Sequence, residues 1–266
     1  MTKRESFETL HFEVVDSVAT VTLDRPDQLN ALNPRMADEL FDVAVRCDLE
    51  NDIRAVVITA TGSAFMAGGD LATFAAAGDQ RSELITRMAT RLHGAISHFN
   101  RMDSPVIAAV NGVAAGAGMS LALSLDLAIA AQSARFVMAY TRIGLTPDGA
   151  SSYFLPRLVG LRRAQELVLT NRELTAAEAL SWGIVNDVVP DDELAARVGQ
   201  LARNLACGAT RSLGPAKRLM REGWNQTLES QMEVEGREIA ASSIRPDGAE
   251  GITAFLEKRT PRFTGE

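Results

Sequence analysis

Cysteine is scarce in this chain: the two present, Cys47 and Cys207, lie far apart and without CxxC spacing. That excludes a disulfide framework or a zinc site built on paired thiolates. No metal is expected, and a reducing cytoplasm is the natural compartment. Positive charge is in deficit, with a net charge of −7 and a pI near 5.2, which gives nucleic acid or an anionic membrane no general footing. Long apolar runs are missing as well, since charges or turn residues interrupt each one before it reaches the ~18 residues of a membrane span. The N-terminus, MTKRESFETLHFEVVD, has no apolar core of signal-peptide length. The expectation is an unprocessed chain with no membrane and no nucleic acid as partner.

What the chain does have is enough apolar residue, 46 % over 266 positions, to fill one large core or a main core with a smaller attachment. Its organising stretch is DSPVIAAVNGVAAGAGMSLALSLD, from Asp103 to Asp126. Pro105 to Val110 reads as a buried strand. A turn at Asn111 and Gly112 and two glycines, Gly116 and Gly118, then lead into a helical run from Met119 to Leu125. A strand that breaks on glycine into a helix leaves the first helical N–H groups unpaired, a prospective site for an anion. A dinucleotide fingerprint does not fit, because the third glycine is missing and Asp126 follows too soon to hold a ribose.

The same design occurs earlier. Val56 to Ala60 reads as a strand that empties into TGSAFMAGGDL, Thr61 to Leu71, with paired glycines before a helix-forming segment. Two such turns could converge, one N–H from each, on one oxygen atom. Around them the pattern predicts strands within Phe12–Leu23, a helix from Pro34 to Glu50 capped by Asn33, and a helix from Gln80 to Asn100 with Leu84, Met88, Leu92 and Ile96 on one face. His93 lies one residue round from that face.

Strands are expected at 127–130, 135–139 and 184–189, and helices at 154–159, 162–170 and 175–182, the last opened by a Thr175 and Glu178 capping box. The loop from Tyr140 to Tyr153 contains a single acid, Asp148, between Pro147 and Gly149. From residue 191 onward four amphipathic helices follow whose apolar stripes need partners. This divides the chain into a mixed strand-and-helix region, 1–190, and a helical region, 191–266, for which self-association is a ready way to cover the stripes.

Five segments together resemble the crotonase family, also called the enoyl-CoA hydratase/isomerase superfamily: TLDRPDQLNALN at 22–33, SAFMAGGDL at 63–71, PVIAAVNGVAAGAGMSLALSLDLAIAA at 105–131, ARFVMAYTRIGLTPD at 134–148 and EGITAFLEKRTPRFTG at 250–265. The resemblance spans essentially the whole chain. It implies an α/β spiral of ββα repeats followed by a helical trimerisation region, assembled as a homotrimer or a dimer of trimers. It also implies an acyl-CoA thioester as substrate, with coenzyme A arriving on the substrate and no separate cofactor. The thioester carbonyl would accept from the N–H groups of Gly69 and Ala117, flanked by Gly68, Asp70, Leu71 and Gly116. The adenine would meet the Ala67 carbonyl beside Arg25, Gln28, Leu29 and Ala31, while Phe255 and Lys258 would reach the cofactor of a neighbouring subunit.

Family hydratases hold two glutamates, and those positions here are Ser120 and Tyr140, which removes the base that water addition needs. Asp148 matches the aspartate of the epoxyphenylacetyl-CoA isomerase and enoyl-CoA isomerase branch, where it would act as acid and base. Enclosed by Tyr140, Leu145 and Tyr153, its carboxylate would be more basic than a free one. The isomerase branch has paired glycines after that aspartate, whereas this chain reads Ala150-Ser151-Ser152. That pattern, with His93 present, also resembles the aryl-CoA dehalogenase branch, in which Asp148 would be a nucleophile and His93 a base. A lyase related to the hydratases and a catalytically silent acyl-CoA-binding protein complete the alternatives. The acyl pocket is expected to be lined by Met66, Leu71, Phe74, Met88, Leu92, Tyr140, Leu145 and Tyr153.

Overall fold

A computed structural model describes residues 3–266. Strands β1 (Lys3–Ser6), β2 (Leu10–Val15) and β3 (Val18–Leu23) form an antiparallel meander. The β2–β3 turn lies at Asp16 and Ser17, both at positive φ. Helix α1 (Pro34–Leu49) starts where Pro34 presets its first turn and the Asn33 side chain accepts from the Met36 N–H at 2.8 Å.

Three units then repeat one plan. The first comprises β4 (Ala55–Ala60), β5 (Ala64–Met66) and two helices, α2 (Leu71–Ala76) and α3 (Arg81–Arg101). The second is β6 (Val106–Val110), β7 (Val113–Ala115) and α4 (Ala117–Ser124); the third is β8 (Leu127–Ala131), β9 (Arg135–Val137), α5 (Ser151–Val159) and α6 (Leu161–Thr170). In each unit the first strand joins a seven-stranded sheet of order β1-β2-β3-β4-β6-β8-β11 and the second joins a four-stranded sheet of order β10-β9-β7-β5. The sheets are completed by β10 (Leu174–Thr175) and, after α7 (Ala176–Ser181), by β11 (Asp187–Val189). The tail is α8 (Leu194–Ala206), α9 (Thr210–Glu222), α10 (Leu228–Ser243) and α11 (Pro246–Leu256).

The central strands are parallel and apolar throughout because both faces of their sheet are covered. Val56, Ile58, Val106, Ala108 and Val110 join a large core shared with Met36, Leu40, Val43, Leu92 and Phe99 of α1 and α3. Their alternates, Ala55, Val57, Ile107 and Ala109, face Leu194, Val198, Ala202 and Ala206 of α8. Helix α8, the first of the tail, therefore packs on the sheet, and only the later helices leave large apolar residues outside. No helix among the described residues is long and apolar enough to cross a membrane.

Several expected bounds shift. Helix α5 begins at Ser151, three residues early, and the strand expected from Ile184 shortens to β11. Of the second sheet only β9 was expected as a strand, at 135–139, and it ends at Val137; β5 and β7 have three residues each and read as parts of turns.

Candidate active site

The two glycine turns lie at the same point of adjacent repeats. One follows β5 and the other follows β7, and these strands are paired, so the turns come out side by side. Gly68 adopts φ +99° and Gly116 φ +50° with ψ −117°, conformations that a side chain opposes. A Cβ on Gly116 would lie 3.6 Å from the Gly68 Cα, and one on Gly118 only 2.0 Å from the Met66 carbonyl oxygen. Glycine is what lets the backbones touch.

The first turn is braced from outside. Leu32 N–H donates to the Gly68 carbonyl at 2.7 Å and Asp70 N–H to the Leu32 carbonyl at 2.8 Å. This bridge takes up the groups on either side of Gly69 and leaves the Gly69 N–H outside it. In the second turn Ala117 is the first residue of α4, where no intrahelical acceptor exists for its N–H. Both residues line a cavity of about 600 Å³. Two N–H groups in one cavity, one of them at a helix N-terminus, can together bind an oxygen that gains negative charge.

The third repeat supplies the rest. The chain leaving β9 forms the 138–150 loop, which brings Tyr140 and Asp148 to the same cavity. His93 arrives from α3 and sets its Nε2 2.5 Å from Asp148 Oδ1. The Asp148 side chain retains 37 % exposure, so solvent or a substrate atom can reach the carboxylate. Its backbone carbonyl is held by Ser151 Oγ at 2.8 Å and Ser151 N–H at 3.3 Å. Gly149 and Ala150 follow at φ +61° and +60°.

Tyr140 is mostly buried, with its hydroxyl 2.9 Å from Ser120 Oγ and 3.3 Å from the Asp148 carbonyl oxygen. Burial above all pushes its phenol up; the Ser120 hydrogen bond opposes that and the Asp148 charge adds to it. The group keeps its proton at any ordinary pH and cannot serve as a base.

Most of the remaining wall is apolar, with Leu32, Leu71, Phe74, Met88, Leu92 and Leu145, and Thr86, Thr90, Arg142 and Thr146 are its polar members. Two residues expected there are elsewhere. Met66 is fully buried against Gly118 in the core. Tyr153 stacks beneath the Arg157 guanidinium, 3.7 Å from the ring centroid, and beside Trp224. The early start of α5 rotates Tyr153 out of the site, so Asp148 is enclosed by Tyr140 and Leu145 without it.

Arg25 is half-buried and held by its own chain rather than free. Its guanidinium contacts Asp70 Oδ2 at 3.0 Å and the Ala31 carbonyl, tying the 25–31 turn to the N-cap of α2. Burial pushes the Asp70 carboxyl up, but the Thr73 N–H and Arg25 outweigh it and hold it below the usual carboxylate range. Gln28 and Leu29 are exposed on this turn, and the Ala67 N–H donates to the Leu29 carbonyl at 3.0 Å. Phe255 is 82 % exposed at the end of α11, with Lys258 two residues past that helix, and neither lines the cavity of its own chain. Sequence reasoning assigned no role to Ser120 beyond the loss of a glutamate, yet it lies directly behind the Ala117 turn.

A family profile described as Enoyl-CoA hydratase/isomerase matches residues 13–266. The chain is 39 % identical to a probable enoyl-CoA hydratase of Rhodobacter capsulatus, over 98 % of this chain and 99 % of the relative. It is 38 % identical to the 1,2-epoxyphenylacetyl-CoA isomerase of Escherichia coli, over 95 % and 97 %, and 37 % identical to a 4-chlorobenzoyl coenzyme A dehalogenase of an Arthrobacter species, over 92 % and 90 %. Among solved structures, an enoyl-CoA hydratase from Polaromonas superimposes with a TM-score of 0.90 at 34 % identity, covering 98 % of this chain and 99 % of that one. Matched over nearly its whole length in sequence and in fold, the chain belongs to the enoyl-CoA hydratase/isomerase, or crotonase, superfamily and performs hydratase/isomerase-type chemistry on an acyl-CoA substrate.

Proposed function

We propose that the enzyme is an acyl-CoA isomerase that moves a double bond from position 3 to position 2 of a CoA thioester. The thioester oxygen sits between the N–H groups of Gly69 and Ala117. Asp148 removes a proton from C2, the charge spreads onto the oxygen as an enolate, and the same proton returns to C4. Asp148 is the single observation that carries this reading: among the described residues it is the one carboxylate in the cavity lining, while both positions that hold a hydratase's glutamates carry hydroxyls. Ser120 and Tyr140 engage each other at 2.9 Å and supply no base for water. An epoxide-bearing arylacetyl-CoA fits the same scheme, its ring opened through the same enolate, and the apolar wall suits an aryl or alkyl group.

The test uses 3-enoyl-CoA and 2-enoyl-CoA substrates with the purified protein. The expected result is conjugation of the 3-enoyl-CoA without a gain in the mass of water, and a loss of about 10³-fold or more in turnover for Asp148→Asn with thioester binding retained. A fully active Asp148→Asn variant ends the assignment.

One observation favours a second reading. The contact between His93 Nε2 and Asp148 Oδ1 suits an aryl-CoA dehalogenase or thioester hydrolase, in which Asp148 attacks and His93 activates water to release the ester. Halide release from a halobenzoyl-CoA, with an aryl ester trapped on Asp148 in His93→Gln, would select it. The isomerase needs only one base and should tolerate His93→Gln.

Assembly as a homotrimer or dimer of trimers is the companion proposal. It is supported by the large apolar residues left outside on α10 and α11 and at the junction between them, among them Met232, Ile239, Ile244, Ile252, Phe255 and Leu256, more apolar surface than a monomer would leave in water. Residues 1–190 then form the catalytic region and 191–266 the region through which copies associate.

A further inference from the structure

Ser120 stands behind the Ala117 turn, outside the cavity lining, and Tyr140 reaches it from the cavity wall. Ser120 is wholly buried on the second turn of α4. Its Oγ donates to the Gly116 carbonyl at 3.0 Å, and its N–H reaches the same oxygen at 2.9 Å. That carbonyl and the Ala117 N–H belong to one peptide unit. An amide whose oxygen accepts hydrogen bonds is polarised, and its N–H becomes the stronger donor.

Two hydroxyls have two protons to distribute among the Gly116 carbonyl, the Asp148 carbonyl and each other. In one arrangement Tyr140 donates to Ser120 and Ser120 to Gly116, across 2.9 Å and 3.0 Å. In the other, Ser120 donates to Tyr140 and Tyr140 to the Asp148 carbonyl across 3.3 Å. The Asp148 carbonyl already accepts from Ser151 Oγ at 2.8 Å, so it needs the phenol less. The shorter pair of bonds wins, and a phenol pushed up by burial keeps the proton it must donate.

We propose that Ser120 and Tyr140 are positioning residues that strengthen the Ala117 N–H as a donor to the substrate oxygen, through a chain of hydrogen bonds from the Tyr140 hydroxyl to Ser120 Oγ to the Gly116 carbonyl. The inference rests on the reading of Gly69 and Ala117 as the pair that binds the thioester oxygen. Neither hydroxyl exchanges a proton with substrate, and both act through the peptide unit between Gly116 and Ala117. The hydroxyl at position 120 thereby has a use of its own on the oxyanion side of the site.

The test is difference infrared spectroscopy of a saturated acyl-CoA, ¹³C-labelled at its thioester carbonyl, bound to the wild type, Ser120→Ala and Tyr140→Phe. A saturated chain cannot isomerise, so the readout is independent of turnover. The expected result is a carbonyl stretch lowered in the wild type, lowered less in Tyr140→Phe and least in Ser120→Ala. With a 3-enoyl-CoA, turnover should fall about threefold and about tenfold in the same order, with KM within about twofold.

If the wild type lowers the stretch and both variants match it, the relay is refuted while the oxygen-binding pair stands. If the wild type does not lower it, the pair itself is refuted and the relay with it. A Tyr140→Phe variant that alters the pH profile but not the stretch would put the phenol to work on the Asp148 loop and overturn the proposal. Should Ser120→Ala fail to fold, Tyr140→Phe, which keeps the ring and leaves the Ser120 bond to Gly116 in place, carries the test alone.

Discussion

At the scale of single residues the site is governed by close approach. A Cβ on Gly69 would lie 2.7 Å from Phe74 Cζ, and Phe74 lines the cavity. Gly69→Ala should push that ring inward and raise KM about tenfold, roughly 1.4 kcal/mol of binding, and Gly69→Ala combined with Phe74→Ala should recover most of the loss. Additive losses in steady-state kinetics would contradict this coupling. Asp70 gives a pH prediction. Its folded pKa is depressed, so the stability it contributes is fully present above the unfolded value of about 3.9 and is lost as pH falls through the folded value. Asp70→Asn should cost about 1 kcal/mol at neutral pH and flatten the acid limb of a Tm–pH curve. An unchanged acid limb would mean that the Arg25 clamp contributes nothing.

The glycine turns were readable in the sequence because glycine marks where backbones must meet, and the pairing of Asp148 with His93 followed from the resemblance. The structural contacts of Arg25 were not legible: its hydrogen bonds to Asp70 and to the Ala31 carbonyl join segments that the sequence does not link. Nothing local in the sequence signals the Ser120 and Tyr140 contact, which joins residues 20 positions apart.

At the scale of elements, one buried cation fastens the tail to the body. Lys217 of α9 donates to the Phe99 and Ser104 carbonyls and to Asp126 Oδ2 at 2.9 to 3.1 Å, while Arg221 holds Asp126 Oδ1 at 2.8 Å. Burial pushes the Lys217 amine down and Asp126 holds it up. Lys217→Met should cost about 3 kcal/mol, since it leaves two carbonyls without this donor and Asp126 with only Arg221 and the Val106 N–H. The check is the urea midpoint, and a shift of less than a third of that would assign the anchoring to apolar contacts instead. The helices were legible from their periodicity. Of the second sheet only β9 was, because strands as short as β5 and β7 carry too little alternation to separate them from a turn. The early start of α5 is likewise a tertiary effect: Ala150 takes a left-handed conformation that lets the helix begin immediately after the Asp148 turn.

At the scale of the whole molecule, the repeat explains why one site draws on three distant segments. Each unit gives its second strand to the small sheet, and the chain leaving that strand emerges at the same edge: Gly69 after β5, Ala117 after β7, Tyr140 and Asp148 after β9. Order in the sheet converts distance in sequence into adjacency in space. The tail poses the remaining question at this scale. Ile244 and Phe255 are 84 % and 82 % exposed, and replacing both with Asp should convert an assembly of three or six chains into monomers by analytical ultracentrifugation. A monomeric wild type would instead require another cover for this face.

The two prospective oxygen donors belong to the main chain, and that has a consequence for descent. Among single replacements only proline deletes a peptide N–H, so a main-chain pair that stabilises an enolate would be largely insulated from point mutation. Ser120, Tyr140, Asp148 and His93 are ordinary side chains around it, each free to change one at a time. A lineage built on this plan can exchange one reaction for another around the same pair of main-chain donors.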